Sequence, residues 1–243
     1  MGFMKIALIG YGKMGHMIEA IALERGHEIV ARIDKEPTPS LPEGKEIFSP
    51  KEGFTTPAFK SAEVAIEFTT PATAKDNILR AWAQNVPVIC GSTGWDVKEP
   101  NPGPSLKGRD ENGKWVVRND QGKAMLVWSS NFSVGVNIFF ELNKMLAGKM
   151  AQQPQYTPSI TETHHIHKLD KPSGTAKTLA EDLKICGFED LKIESIREGE
   201  VPGTHVVSWD SEEDTIIITH IAKGRRGFAL GAVLAAEGIV KQA

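Results

Sequence analysis

Short apolar runs alternate with segments of helical periodicity along most of the chain. Runs that predict strands, several of them buried on both faces as in parallel sheets, occur at 5–9, 28–33, 64–70, 86–95 and 123–136. Helical spacing of apolar residues follows at 14–26, 74–85 and 137–150, with Gly26 as a plausible stop for the first helix. This alternation predicts an α/β protein built on a Rossmann-type parallel sheet.

Two segments break this alternation. Residues 36–62 are rich in Pro, Gly and Lys, and predict a loop with at most one short element. Residues 101–123 contain three helix breakers near their start and an Asn112-Gly113 pair that favours a tight hairpin turn. The second segment therefore predicts a β-ribbon or a mobile loop rather than a packed helix.

Composition narrows the class of protein. The 243 residues, 40% hydrophobic and 24% charged, are enough for one or two domains. The formal net charge is -3 and no run of Lys or Arg stands out, so a nucleic-acid-binding surface is not expected. Only two cysteines are present, without CxxC spacing, which argues against a disulfide framework or a thiolate zinc site. The N-terminus lacks a signal-peptide pattern and no stretch approaches the ~20 apolar residues of a membrane span, so we expect a cytoplasmic protein without a membrane partner.

The turn after the first strand has the sequence Gly10-Tyr11-Gly12-Lys13-Met14-Gly15, a G-x-G-x-x-G motif that opens a helix. In this setting Gly10 allows a tight turn, Gly12 lets the backbone approach a pyrophosphate, and Gly15 lets the helix pack closely on the strand. The helix N-terminus adds free N–H groups and the positive end of its dipole. The motif predicts a dinucleotide-binding site; the alternative is a glycine-rich turn that binds nothing.

Asp34 ends the second predicted strand, about 20 residues after the motif, where a carboxylate can hold the adenosine ribose hydroxyls. Its charge would repel a 2′-phosphate, which favours NAD(H). Arg32 and Lys35 flank Asp34 and carry positive charge that would soften this preference. The sequence therefore leaves both NADH and NADPH open as the cofactor.

Small polar residues follow three of the predicted strands. They are Thr69-Thr70, Gly91-Ser92-Thr93 and Ser129-Ser130-Asn131-Phe132. Because ligands of open parallel sheets bind at the carboxyl ends of the strands, these segments are candidate rims of one cofactor crevice. For any one segment alone, ordinary loop chemistry explains the residues about equally well.

Three histidines, His164, His165 and His167, lie together at the end of a strand predicted at 156–165. If the strand continues, His165 and His167 share one face and His164 points to the other side. A metal site is one interpretation, with Asp170 as a fourth ligand, but the spacing differs from the HExxH of zinc helices and no Cys completes the set. Three solvated histidines near a strand end are another. We predict no metal.

A third interpretation uses the residues that follow. Lys168 is a cation beside the histidines, Pro172 breaks the chain, and Ser173 or Thr175 is a natural N-cap for a helix that ends near Gly187. A lysine and a helix N-terminus together suit an anionic substrate such as a carboxylate. A histidine titrates near neutral pH and can donate or accept the proton that must accompany hydride transfer.

Over nearly the whole chain, a series of segments follows the order typical of one enzyme family. They are IGYGKMG, EFTTPATA, CGSTGW, SSNFSVGVNIFF, ETHHIHKLDKPSGTA, REGEVPGTH and ITHIAKGRRGFALGAVLAAE. On these segments the chain resembles the 4-hydroxy-tetrahydrodipicolinate reductases (dihydrodipicolinate reductases) of the diaminopimelate route to lysine. The resemblance implies hydride transfer from NADH or NADPH to 4-hydroxy-tetrahydrodipicolinate, a dicarboxylate, with loss of water to give tetrahydrodipicolinate.

The resemblance also implies residue roles. His164 would be the proton donor or acceptor, Lys168 the second acid and a substrate contact, and His165 a further substrate contact. Gly174 and Thr175 would hold a substrate carboxylate at the helix N-terminus. The implied cofactor-binding residues are Gly10, Tyr11, Gly12, Lys13, Met14, Gly15, Asp34, Lys35, Gly91, Ser92, Thr93, Ser129, Ser130, Asn131, Phe132 and Arg225.

The family fold implies two domains. Residues 1–130 and 221–243 would form the dinucleotide-binding Rossmann domain. Residues 131–220 would form a second α+β domain that binds substrate and carries an open mixed sheet, which builds a homotetramer. This chain departs from the family in having Gly91-Ser92-Thr93 where Gly-Thr-Thr is common, and in lacking a helical pattern at 101–123. No chemistry is assigned to His167.

Two alternatives remain open on the sequence. Another Rossmann oxidoreductase that acts on a small carboxylate would use the same parts, although the Tyr-x-x-x-Lys of short-chain dehydrogenases is absent. A non-catalytic NAD(H) sensor would need a DNA- or partner-binding module, and no such module is visible in the sequence.

Overall fold

The computed structural model describes residues 2–36, 46–95, 106–109, 115–118 and 123–241. Contacts divide the chain into two compact units, one formed by Met1–Phe132 with Phe228–Ala243 and the other by Ser133–Gly227. The boundaries predicted after residues 130 and 220 differ from these. In particular, residues 221–227 fall in the second unit rather than the first, because the last strand of that unit runs to Ile221.

The first unit is built on an eight-stranded sheet in the order β3-β2-β1-β4-β5-β8-β7-β6. Its strands are β1 (Lys5–Ile9), β2 (Glu28–Ile33), β3 (Ile47–Phe48), β4 (Val64–Glu67), β5 (Val88–Cys90), β6 (Leu106–Arg109), β7 (Trp115–Arg118) and β8 (Ala124–Trp128). Pairing is parallel from β3 to β8 and antiparallel from β8 to β6. The predicted Rossmann-type parallel sheet is confirmed.

Helices pack on both faces of the parallel part of this sheet, so nearly all residues of β1, β4 and β5 are buried. The helices are α1 (Lys13–Glu24), α2 (Pro57–Lys60), α3 (Pro71–Trp82) and the helix α6 (Arg226–Lys241) near the end of the chain. Ile6 and Leu8 of β1 pack in a core with α1 and α6, whereas Ala7 and Ile9 pack in a second core with α2 and α3. Within the described ranges, no helix has the length and apolar character of a membrane span.

The prediction for residues 36–62 is wrong in its element count. Residues 37–45 lie outside the described residues, but the rest contains β3, a 3-10 turn at Gly53–Thr55 and α2. Phe54 and Phe59 are buried with ring centroids 5.0 Å apart, so hydrophobic packing orders this segment. The Thr56 hydroxyl caps α2 by accepting from the Phe59 N–H at 3.1 Å.

The β-ribbon predicted within residues 101–123 is confirmed. β6 and β7 pair in antiparallel register, and β7 pairs with β8, so the ribbon extends the edge of the parallel sheet. The predicted Asn112-Gly113 turn lies outside the described residues.

The second unit has a four-stranded mixed sheet in the order β10-β9-β11-β12. Its elements are α4 (Val134–Met150), β9 (Thr157–His164), α5 (Gly174–Ile185), β10 (Lys192–Arg197), β11 (Thr204–Asp210) and β12 (Thr215–Ile221). The pairing of β9 with β10 is parallel, and the other two pairings are antiparallel. The predicted α+β unit with an open mixed sheet is confirmed.

Both helices of the second unit pack on one face of its sheet, with a core that contains Phe139, Leu179 and Trp209. Alternation along β9 places Pro158, Ile160, Glu162 and His164 on the buried face. The opposite face bears β-branched side chains, among which Ile217 and Ile221 are 58% and 65% exposed. Among the described residues of this unit, no helix covers that face.

Gly231 of α6 provides a test of how this helix packs in the first unit. A Cβ at Gly231 would overlap the backbone carbonyl of Phe132, which cannot move as a flexible side chain can. Gly231→Ala should therefore lower the free energy of unfolding by about 1–3 kcal/mol, the usual cost of overpacking.

Gly238→Ala in the same helix is the matched control, because a Cβ there meets no atom within 4 Å. This substitution should leave stability unchanged or raise it by up to ~1 kcal/mol through helix propensity. Denaturant unfolding of both variants measures the difference, and equal stabilities would contradict the close approach of α6 to Phe132.

Candidate active site

The three glycines of the turn between β1 and α1 meet three different constraints. Gly10 has φ +91°, and a Cβ there would overlap the carbonyl of Phe68, while a Cβ at Gly15 would overlap the carbonyl of Gly10. A Cβ at Gly12 would meet no atom within 4 Å, so the backbone is open to an approaching ligand. This matches the tight turn, close packing and pyrophosphate approach of a dinucleotide cradle.

Asp34 is tied to the glycine-rich turn. Its carboxylate accepts hydrogen bonds from the Tyr11 N–H at 2.5 Å and from the Glu36 N–H at 3.3 Å. Lys35 extends outward with its side chain 84% exposed, 3.7 Å from the carboxylate of Glu36. Lys13 and Met14 begin α1, the first exposed and the second half-buried.

Arg32 turns away from Asp34 and into the interior of the first unit. Its guanidinium donates to Glu19 of α1 at 3.0 and 2.5 Å, and lies 5.7 Å from the centre of the Tyr11 ring. The hydroxyl of Tyr11 also hydrogen-bonds to Glu19. The sequence offered Arg32 as a cation near the ribose, whereas the structure pairs it with a buried carboxylate.

Two of the predicted rims are joined by hydrogen bonds. The Ser92 hydroxyl accepts from the Thr69 N–H at 2.9 Å, and the Ser92 carbonyl accepts from the indoles of Trp95 and Trp128 at 2.8 Å each. Gly91 packs so closely on Phe68 that a Cβ would overlap its ring. The buried polar atoms of Ser92 thus link the two rims, whereas the neighbouring Thr93 is exposed.

The third rim, Ser129-Ser130-Asn131-Phe132, lies in the same unit. The Ser129 hydroxyl donates to the Asn131 carbonyl at 2.7 Å and accepts from the Asn131 N–H at 3.2 Å, forming a local turn. Phe132 is buried and its ring centroid lies 6.2 Å from that of Phe68. Phe68 contacts two of the three rims but had no predicted role, although its place directly after a buried strand was an available signal.

Arg225 is the exception among the predicted cofactor residues. It is exposed in the turn between β12 and α6, and belongs to the second unit, whereas the other predicted cofactor residues belong to the first.

The structure separates the three clustered histidines. β9 ends at His164, so the shared face proposed for His165 and His167 on a continuing strand does not form. His164 is buried on the helix-covered face and its Nδ1 contacts the carboxylate of Glu162. His165 and His167 follow the strand with ring centroids 6.0 Å apart, and His167 is an exposed neighbour of Glu200 at 3.3 Å.

Lys168 and the N-terminus of α5 together surround a carboxylate. Ser173 is the N-cap, accepting from the Ala176 N–H at 3.2 Å, and Gly174 and Thr175 are the first two helical residues. Lys168 Nζ lies 2.7 Å from the Asp170 carboxylate. Burial alone would raise the pKa of Asp170, but the hydrogen bond and charge of Lys168, aided by a backbone hydrogen bond from Gly174, lower it. This corner of the unit stabilises a carboxylate.

Glu162, Arg197 and His205 form a buried network around His164; all three lie in the family-like segments, but none of them had a predicted role. Arg197 donates to Glu162 at 3.0 Å, and the rings of His164 and His205 meet edge to face with centroids 5.0 Å apart. Burial lowers the pKa of His205 to about 3, with the nearby His164 adding to the effect. The available signal was Glu162 itself, a carboxylate on the buried positions of an alternating strand.

Ligand atoms of Glu162, His164 and His205 lie within 4.8 Å of one another, a spacing at which a metal ion can bind. In the structure, Glu162 and His205 already have other partners. Glu162 already accepts from Arg197, whose positive charge opposes a second cation, and His205 Nε2 lies 3.2 Å from the Ser173 hydroxyl. The arrangement suits a proton-carrying network better than a metal centre.

Solved structures share this fold. That of a dipicolinate-bound dihydrodipicolinate reductase from Paenisporosarcina sp. TG-14 matches with a TM-score of 0.69 over 99% of this chain and 96% of that chain, at 18% identity. An aspartate semialdehyde dehydrogenase II from Vibrio cholerae matches with a TM-score of 0.56 over 99% of both chains, at 12% identity. At these identities the likeness concerns the fold alone.

Sequence relatives identify the family. The family models described as "Dihydrodipicolinate reductase, N-terminus" and "Dihydrodipicolinate reductase, C-terminus" match residues 4–102 and 135–243. A 4-hydroxy-tetrahydrodipicolinate reductase from Christiangramia forsetii is 39% identical over 96% of this chain and 91% of its own length. Another from Bdellovibrio bacteriovorus is 34% identical over 89% of this chain and 86% of its own length. The chain belongs to the dihydrodipicolinate reductase family.

Proposed function

We propose that this protein reduces 4-hydroxy-tetrahydrodipicolinate to tetrahydrodipicolinate with NADH or NADPH, in the diaminopimelate route to lysine. The relatives that share 34–39% of its sequence over most of their length carry that activity in their names. The observation that carries the proposal is the carboxylate-stabilising corner at Lys168 and α5, adjacent in sequence to a buried histidine. A dicarboxylate that must gain a proton needs both features.

The first unit fits the dinucleotide. Gly10 allows the tight turn, Gly15 allows the close packing of α1, and Gly12 leaves room for a pyrophosphate beside the start of α1. Asp34 lies next to the turn, where ribose hydroxyls would be held. When bound, the reduced nicotinamide supplies a hydride. The strand exits at Gly91–Thr93 and Ser129–Phe132 would line its ring, with Arg225 as a further proposed contact.

Asp170 marks where a substrate carboxylate would bind. Its carboxylate sits between the Lys168 ammonium and the first turn of α5, the same two groups that the sequence assigns to substrate. A substrate carboxylate would use the Gly174 and Thr175 N–H groups and the Lys168 charge. His165, at the end of β9, would contact the rest of the dicarboxylate.

His164 is the proposed proton donor. It is buried, so its proton is not exchanged freely with bulk water, and its Nδ1 is engaged by Glu162. Burial lowers the pKa of His164, the charge of Glu162 opposes this, and the charges of Lys168 and Arg197 add to it. Binding of a dicarboxylate nearby would raise the pKa of His164 again, so the proton is taken up where it is needed. Lys168 would serve as the second acid.

His164→Gln and Lys168→Ala should each reduce kcat strongly, by about 10²–10⁴-fold if each residue acts as a general acid. The affinity for NADH should stay close to that of the wild type, because the glycine-rich turn lies in the other unit. Steady-state turnover with the product of dihydrodipicolinate synthase, together with an NADH fluorescence titration, measures both quantities.

His167→Gln is the matched control, an exposed histidine of the same segment that should keep turnover close to wild type. Wild-type rates in both His164→Gln and Lys168→Ala would overturn the assigned roles. NADH binding without turnover of this substrate by the wild-type protein would instead favour a sensor, and oxidation of NADH with a different carboxylate would favour another oxidoreductase.

NADH is the cofactor that the first unit favours. Asp34 would oppose a 2′-phosphate, and Arg32 has its charge matched by Glu19. We therefore expect kcat/KM to be higher with NADH than with NADPH. Asp34→Asn should weaken NADH binding by about tenfold to a hundredfold, since a hydrogen bond to a charged group contributes ~1.5–3 kcal/mol.

Glu36→Gln is the control for this pair, because it removes a neighbouring exposed carboxylate and should leave the preference unchanged. A wild-type protein that uses NADPH as well as or better than NADH would show that Lys35 outweighs Asp34.

A homotetramer and a cytoplasmic location complete the proposal. The open face of the second sheet places Thr219 opposite Val206 on neighbouring strands, with Ile217 and Ile221 exposed beside them. An exposed face of β-branched residues suits burial against another copy of the same sheet. Both cysteines are free thiols, as suits a reducing compartment.

Ile217→Glu should disrupt the tetramer, because it would bury a charge between sheets. Ile185→Glu, at the end of α5 and 79% exposed, is the matched control and should leave the assembly intact. Light scattering after size-exclusion chromatography measures the mass of each. A monomeric wild-type protein, or a tetrameric Ile217→Glu variant, would exclude this face as the interface.

A further inference from the structure

We propose that Glu162 and Arg197 are positioning residues for the two proposed acids, with Glu162 holding the His164 imidazole and Arg197 holding the segment that carries Lys168. The inference deepens the proposed function and rests on it, because it assigns both residues to the proton transfer of that site. Glu162 and Arg197 begin two of the family-like segments, ETHHIHKLDKPSGTA and REGEVPGTH, but neither residue had a predicted role.

Glu162 has no exposed surface, so its carboxylate depends on protein donors alone. One oxygen faces His164 Nδ1, while the other accepts from Arg197 at 3.0 Å and from the Ser173 N–H at 3.3 Å. A carboxylate in this place requires the proton of the neutral imidazole to be on Nδ1. The ring is thereby fixed in one tautomer and its Nε2 is left for proton exchange.

Arg197 connects this carboxylate to the segment after β9. Its Nε donates to the Lys168 carbonyl at 3.3 Å, and one terminal nitrogen donates to the Asp170 carbonyl at 2.5 Å as well as to Glu162. A planar guanidinium holds several acceptors in a fixed geometry that a lysine cannot reproduce. The backbone that carries Lys168 is therefore held against the same carboxylate that orients His164.

The charges around His164 determine the direction in which its pKa should shift when Glu162 is replaced. Glu162 faces it from β9, Arg197 from β10, His205 from β11, and Lys168 with Asp170 from the following segment. Glu162 raises the pKa of His164, whereas burial, Lys168 and Arg197 lower it. Removing the negative charge must shift the pKa of His164 downward, so the protonated form persists only to a lower pH.

Glu162→Gln is the informative variant because glutamine has the same shape but only one acceptor oxygen. That oxygen can face either His164 or Arg197, and the amide group then opposes the other donor. We expect kcat to fall by about tenfold to a hundredfold, less than the ~10²–10⁴-fold of removing a general acid itself. The alkaline limb of the kcat profile should move to lower pH, with NADH affinity unchanged.

Three further variants separate positioning from simple stability. Glu162→Asp keeps the charge and should retain a wild-type alkaline limb. Arg197→Lys loses the fixed geometry and should raise KM for the dicarboxylate without changing NADH binding. Glu189→Gln, an exposed glutamate of the same unit, should behave as wild type. Thermal unfolding of each variant reports whether it remains folded.

Nitrogen NMR of the His164 imidazole tests the proposal without turnover. The wild-type ring should show the Nδ1–H tautomer, and Glu162→Gln should lower its pKa. An unshifted pKa and alkaline limb in folded Glu162→Gln would overturn the proposal, whatever the loss of kcat. If wild-type protein failed to reduce the substrate but the NMR shift appeared, the proposed function would fail while the pairing of Glu162 with His164 stood.

Discussion

The Glu162 carboxylate has no exposed surface, and a charge in that position is stable only if protein donors surround it. Glu162 faces His164 on the same strand and accepts hydrogen bonds from Arg197 on β10, from the Ser173 N–H at the start of α5 and from the Ser195 side chain. Burial would raise the pKa of Glu162, yet the hydrogen bonds from Arg197 and Ser195 and the charges of His164 and Arg197 lower it. The end of β9, the turn after it and the first turn of α5 are thereby held in one arrangement.

A similar pairing acts in the first unit with a different consequence. There the buried carboxylate of Glu19 binds Arg32 and the Tyr11 hydroxyl. In the second unit the ion pair of Glu162 with Arg197 holds residues that would carry protons. In the first unit the ion pair of Glu19 with Arg32 keeps the Arg32 charge away from the strand end where a cofactor phosphate would bind. Each pair lies beside the N-terminus of a helix, α5 in one unit and α1 in the other.

Local patterns in the sequence were enough for most of the fold. The glycine-rich turn and the helix start at Ser173 are set by neighbouring residues and formed where they were predicted. The strands predicted at 86–95 and 123–136 formed as the shorter β5 and β8. The elements around Phe54 and Phe59 were missed because distant packing, rather than local periodicity, orders them. The partners of His164 were missed for a related reason: Arg197 and His205 meet it only through strand pairing, which places Arg197 opposite His164 across β10 and β9. The directions of the His165 and His167 side chains depend on where β9 ends. No residue type in the sequence marks that boundary.

The carbonyl of Ser92 accepts hydrogen bonds from two indoles, those of Trp95 and Trp128, at one strand exit of the first unit. The fluorescence of an indole depends on the polarity and hydrogen bonding around its nitrogen, so both fluorophores respond to the geometry of the same peptide group. The molecule therefore carries an optical reporter at this edge of the sheet, built from its own tryptophans. Comparison with Trp95→Phe and Trp128→Phe variants separates this signal from that of the other three tryptophans, without a label.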